Sequence, residues 1–288
     1  MSHEIEIQVA VEAQNLLGEG PLWNWQEQRL YWTDIENNCI YRFDPQTGQR
    51  ETFEAGCAVG CIGFCQSGSL VLATSRGFAF WNLHDPLVFV GDPEADKPES
   101  RFNDGAVDPQ GRFWAGTYGP GYTSALYRLD PGGAIQRLVD GVACSNGIGW
   151  SLDHRTMYFT DSTPQKIYAF DFDPATGHIE HQRDFVDSTG QSGFPDGLAV
   201  DSEGFIWSAR WGGWCLQRFD PAGKLERTVN LPVEFPTSCA FGGTALDQLY
   251  ISSAYRPVAV ENRASQPLAG HVLRLSSEVR GLPEPLFA

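Results

Sequence analysis

Oxygen-bearing side chains recur at one phase of this 288-residue chain: Glu19, Asn103, Asn146 and Asp196, in a series of six completed by Gly60 and Ser238. In chain order the intervals are 41, 43, 43, 50 and 42 residues. Glu19, Asn146 and Asp196 offer an all-oxygen donor set with two negative charges. Such a set suits a hard divalent cation, Ca²⁺, Mg²⁺ or Mn²⁺, and also accommodates Fe²⁺. Two carboxylates facing each other in a dry channel raise each other's pKa, and a cation removes that conflict. Three protein donors leave positions for water and substrate, the layout of a catalytic metal centre. Asn and Asp before glycine are also common turn residues, so Asn146-Gly147 and Asp196-Gly197 have a local reading too. Glu19 resists that reading, because glutamate is poor turn material and stands just before Gly20-Pro21.

Other chemistries lack their residues. None of the six histidines (His3, His84, His154, His178, His181 and His271) falls at the repeat phase. A Ser-His-Asp arrangement therefore has no place there, and no G-x-S-x-G elbow occurs. No glycine-rich phosphate loop sits between a strand and a helix, which argues against a nucleotide cofactor. Cys57, Cys61 and Cys65 are spaced by four, but no histidine or further close cysteine completes a zinc set, and they read as packed apolar residues.

The elements that position these residues are written in the repeat itself. Each copy has a polar-plus-glycine start, an apolar strand, a D-x-x-G/R-x-x-W/Y phrase and a second strand. The clearest are NDGAVDPQGRFWAGT from Asn103, SNGIGWSLDHRTMYFTD from Ser145 and PDGLAVDSEGFIWSAR from Pro195. A strand-rich repeat with a period in the low forties predicts an all-β, six-bladed β-propeller, with four-stranded blades around a central channel. In that fold the starts of the innermost strands meet at one mouth of the channel. Residues 1–288 read as one domain. The alternating segment 5–11 is expected to complete the last blade beside GHVLRL (270–275), since a ring must close its edge strands. Asp-Pro turns at Asp44, Asp130, Asp173 and Asp220 supply the hairpins. Trp32, Trp114 and Trp207 read as blade packing. Trp150, Trp211, Trp214, Tyr118 and Tyr122 are candidates to stack on a ligand. Two insertions, 119–124 and 186–195, break the period, and such loops often border a site.

The formal charge is −16, with 20 scattered Lys and Arg against 36 Asp and Glu. That composition favours solubility and disfavours nucleic acid and anionic membranes as partners. The N-terminus has neither a basic region nor an apolar run, and seven cysteines lack a framework spacing. Both features point to a cytoplasmic protein.

LGEGP (17–21), RFNDG (101–105), SNGIGWS (145–151) and PDGLAVD (195–201), in this order and spacing, resemble the SMP-30/gluconolactonase/regucalcin-like family over residues 15–285. The WGG phrase (211–213) brings the chain nearest to bacterial sugar lactonases. The resemblance implies one divalent cation (Ca, Mg, Mn, Zn or Fe(II)) held by Glu19, Asn146 and Asp196, with Arg101 and Asn103 binding a sugar lactone. It implies an enzyme that hydrolyses an aldonolactone to the free sugar acid, and a monomer or weak homodimer is expected. Asp196 is the expected general base. The regucalcin branch places a glutamate in the loop after AGT, whereas GTYGPGYTS here has no carboxylate. Tyr118 or Tyr122 is expected to make that contact. Two rival readings are a phosphotriesterase- or paraoxonase-like hydrolase on the same fold and a non-catalytic propeller that binds calcium or a protein.

Overall fold

The computed structural model describes residues 6–288. Twenty-four strands form six antiparallel sheets of four strands each. The innermost strands are Gly18–Asn24, Val59–Phe64, Arg101–Val107, Ser145–Trp150, Phe194–Val200 and Pro236–Gly242, one for each of blades 1 to 6. Each touches the innermost strand of the next blade, and that of blade 6 returns to blade 1. This is the six-bladed propeller that the repeat predicted. Among the described residues the one helix is a short 3₁₀ segment, Val260–Ser265.

Two chain ends tie the ring. The strand Ile7–Val11 pairs antiparallel with Val272–Ser276, with Ile7 opposite Leu275, and so forms the outer strand of blade 6. Ile5, at the start of the segment expected to pair there, lies outside the described residues. The C-terminal tail crosses the opposite face. Gly281 bridges to Asp201 of blade 5, whereas Phe287 pairs with Cys65 of blade 2 and packs 5.5 Å from Phe80.

The repeated phrase has a physical cause. Asp108 accepts hydrogen bonds from the backbone N–H of Gln110 and Arg112 and from Trp114 Nε1 at 2.9 Å. Asp201 does the same with Glu203, Phe205 and Trp207 Nε1 at 3.0 Å. One aspartate thus shapes the hairpin and satisfies the indole six residues on. The apolar body of each indole is left free to pack between blades. Trp32, Trp114 and Trp207 are all at most 2% exposed, as blade packing requires. Cys61 and Cys65 are buried in the apolar cluster of blades 2 and 3.

Candidate active site

All six inner strands slip register at the same point along their length. The slips leave residues unopposed: Asn103 and Asp104, Asn146 and Gly147, Asp196 and Gly197. Glu19, opposite Thr33, borders the slip of blade 1. A bulge re-aims side chains, and here it acts on the repeat-phase residues. The glycines are not turn residues. Gly147 and Gly197 lie inside strands and avoid positive φ. A Cβ on Gly147 would stand 2.5 Å from the Leu198 nitrogen, and one on Gly197 would collide with Ser238 Oγ. The Asn-Gly and Asp-Gly pairs therefore mark places where neighbouring inner strands touch, and the local turn reading does not hold.

The structure brings the candidates together in a dry place. Glu19, Asn103, Asn146 and Asp196 are each at most 8% exposed. Asn103 Nδ2 donates to Asn146 Oδ1 at 2.9 Å and to the Ser145 carbonyl at 2.8 Å. Arg101 Nη1 donates to Asn103 Oδ1 at 2.6 Å. Burial, then the nearby Asp104 carboxylate, pushes Glu19 up to about 8, against weaker lowering by Gly20 N–H and Arg101. Asp196 rises well above the ordinary carboxylate range through burial, then Glu19 and Asp104. Burial also pushes Asp104 up to about 6. The Cys144 thiol beside Asn146 is pushed up to about 12, by burial first and by Asp196 second.

These residues fit a cation. Asp196 Oδ1 is buried with no hydrogen-bond partner among the described residues. Glu19 accepts one hydrogen bond, from its own neighbour Gly20 at 3.2 Å. A buried anionic oxygen without a donor is costly, and a hard cation between the two carboxylates would satisfy both. Asn146 Oδ1 accepts one hydrogen bond and keeps its second lone pair free. Among the described residues no three Asp, Glu, His or Cys side chains gather into a ready ligand set. The fit is thus two carboxylates and one amide.

Around this centre the expected contacts divide. Tyr118 lies opposite Arg101 in the ladder, its ring 5.4 Å from the guanidinium, and is 45% exposed at the mouth. Tyr122 is 61% exposed on the 119–124 loop, and no hydrogen bond ties it to the site among the described residues. Trp150 does not face the mouth. It ends the inner strand of blade 4 and packs against Trp114 at 6.1 Å and Phe172 at 5.9 Å. It stands four positions beyond Asn146 on that strand, enough to carry it away from the mouth. Trp211 packs edge-on against Phe235 at 5.0 Å.

Three residues escaped the sequence reading. Asp104 is a third carboxylate, one position off the repeat phase yet inside the same bulge. Only knowledge of the bulge could have found it. Ser162 joins Asn146 Nδ2 at 2.7 Å to the Pro195 carbonyl at 2.6 Å. Arg210, 1% exposed, donates to Ser188 Oγ and to the Ser192 and Gly193 carbonyls at 2.8–2.9 Å. It pins the inserted loop that leads into Asp196. Below the site a cavity of about 410 Å³ fills the channel, bordered by Asp104, Trp150 and the tail residue Glu284.

The family model described as SMP-30/Gluconolactonase/LRE-like region matches residues 17–255. The chain belongs to that family. It is 37% identical to regucalcin of Danio rerio, over 97% of each chain. It is 36% identical to pentonolactonase XacC of Haloferax volcanii, over 93% of each. A solved structure of a calcium-binding protein, regucalcin, from Agrobacterium tumefaciens superimposes with a TM-score of 0.95 at 27% identity. That match covers 99% of this chain and 98% of the other. Among the described residues no helix is long and apolar enough to cross a membrane.

Proposed function

We propose that this family member opens a sugar lactone with water, in a reaction that depends on one divalent cation held by Glu19, Asn146 and Asp196. Hydrolysis of a carboxylic ester bond follows from the family and from the lactonases within it. The observation that carries the proposal is the buried Asp196 Oδ1, which has no donor among the described residues and faces the repulsion of Glu19.

The residues divide the work as follows. Arg101 presents a forked set of N–H donors to the lactone oxygens. Asn103, already fixed by Arg101 and Asn146, both donates and accepts, which suits a sugar hydroxyl. Tyr118 borders the ring of the sugar. Asp196 removes a proton from water as the new C–O bond forms at the lactone carbonyl. The ring C–O bond then breaks, and the same carboxyl returns the proton to the leaving oxygen, giving a free hydroxyl. The sugar acid releases one proton to solvent. When bound, the cation supplies Lewis-acid stabilisation of negative charge on the lactone oxygen. Seven free thiols suit a reducing compartment, in keeping with a cytoplasmic enzyme.

The test is proton release from a panel of pentono- and hexonolactones. Metal-free protein is re-supplied with Ca²⁺, Mg²⁺, Mn²⁺, Zn²⁺ or Fe²⁺ in turn. Turnover restored by at least one cation is expected. Full turnover by the stripped protein, or none on any lactone with any cation, removes the reading.

A further inference from the structure

Four hydrogen bonds run head to tail from one side of the site to the other. Arg101 Nη1 donates to Asn103 Oδ1 at 2.6 Å, and Asn103 Nδ2 donates to Asn146 Oδ1 at 2.9 Å. Asn146 Nδ2 donates to Ser162 Oγ at 2.7 Å, and Ser162 Oγ donates to the Pro195 carbonyl at 2.6 Å. Pro195 is the residue before Asp196. The chain crosses blades 3, 4 and 5, links Arg101, Asn103 and Asn146, and ends on the residue before Asp196.

Its direction is fixed at both ends. A guanidinium has no acceptor, so Arg101 can only donate. A backbone carbonyl has no donor, so Pro195 can only accept. Each member between them must accept on one side and donate on the other. Asn146 therefore presents its oxygen to the site and its nitrogen to Ser162. An amide turned over would set two N–H groups against each other at Asn103. Bonds aligned in one direction also polarise one another.

We propose that Ser162 is a positioning residue for the cation site. It rests on the cation reading given above. Its hydroxyl, in a residue 7% exposed, holds the Asn146 amide in its ligating orientation and anchors the backbone that carries Asp196. Residues outside a metal's own ligands commonly act in this way. Replacing Ser162 with alanine leaves the Asn146 N–H without its oxygen acceptor and removes the hydroxyl donor from the Pro195 carbonyl. Its near neighbour Thr160 is the control. Thr160 is wholly buried in the same blade, and its hydroxyl has no partner among the described residues, so Thr160→Val removes a hydroxyl without touching the chain.

The experiment is calorimetric titration of Mn²⁺ into chelator-treated protein without substrate, with thermal melts of each metal-free variant alongside. Ser162→Ala is expected to bind roughly 10–100-fold more weakly than wild type. Thr160→Val is expected to match wild type. Ser162→Ala binding as tightly as wild type overturns the positioning role and leaves the cation reading standing. Wild type that binds no Mn²⁺ overturns the cation reading and the role together. If Ser162→Ala does not fold, Ser162→Cys takes its place. Its thiol accepts only weakly, so an affinity equal to wild type overturns the role in the same way.

Discussion

Two kinds of buried carboxylate stand a few residues apart in this propeller. Asp201, fully buried, accepts from two backbone N–H groups, from Trp207 and from Arg218 Nε and Nη2 at 2.9 and 2.7 Å. Asp196, 4% exposed, has one oxygen with no donor among the described residues. Both are aspartates of blade 5, and both belong to the phrase PDGLAVD. One has its charge satisfied by the fold. The other has its charge left open, and open buried charge is tolerated where a ligand completes it. Burial alone therefore says little about role, and the count of donors says much.

The comparison is broken most severely by exchanging losses. Asp196→Ala is expected to lower kcat/KM for the preferred lactone by roughly 10³-fold or more. The metal-free variant should melt no lower than wild type, because a repelled carboxylate is gone. Asp201→Ala should do the reverse. It removes the buried acceptor of Trp207, of two backbone N–H groups and of Arg218, which keeps only the more exposed Glu203 and Glu226, and should cost about 3 kcal/mol of stability. Activity per folded molecule should persist at a temperature where the variant is folded. Calorimetry and initial rates on both variants check this. A destabilised Asp196→Ala with normal turnover would erase the distinction.

The distinction was only half legible in the sequence. The repeat gave the ring, because each blade has to bury the same strands against the next. The phase gave Glu19, Asn103, Asn146 and Asp196, because ring closure converts equal phase into proximity. Asp104 was hidden because a bulge shifts which side of a strand a residue faces, and a bulge leaves no fixed residue signature. Ser162 and Arg210 were hidden because their partners are backbone carbonyls, which every residue possesses. Trp150 was misread because an aromatic near a ligand in sequence can sit at the far end of a strand in space.

The pH dependence of stability sharpens the same contrast. The Glu19 carboxyl is raised from its ordinary 4.5 to about 8 in the metal-free fold, so the folded state holds a proton that the unfolded chain has released. Stability from this group is fully present below pH 4.5 and is lost as pH rises through about 8. Metal-free protein should therefore lose up to about 1.4 kcal/mol per pH unit from this carboxyl across that window. Added Ca²⁺ or Mn²⁺ should flatten the slope, since a cation favours the charged forms. Melting temperatures with and without cation at pH 5, 6.5 and 8 test this. Asp104→Asn should shallow the metal-free slope, because Asp104 is the second cause of the Glu19 shift. An identical slope in that variant would mean that the Asp104 charge does not act on Glu19.

The smallest effects separate the two tyrosines that the sequence treated alike. Tyr118 faces the Arg101 guanidinium at 5.4 Å, a cation–π contact worth about 0.5–1 kcal/mol at an exposed site. Tyr118→Ala should therefore raise KM about 2–5-fold with little change in kcat. It loosens the donor that meets the lactone and leaves the carboxylates untouched. Tyr122, 61% exposed, has no such partner among the described residues, and Tyr122→Ala should leave KM near the wild-type value. Steady-state kinetics on the two variants, with the same lactone and cation, distinguish them. A larger KM effect at Tyr122 would mean that the 119–124 loop folds over the mouth once substrate is bound. In that case the sugar would be recognised by a surface that forms only in the complex.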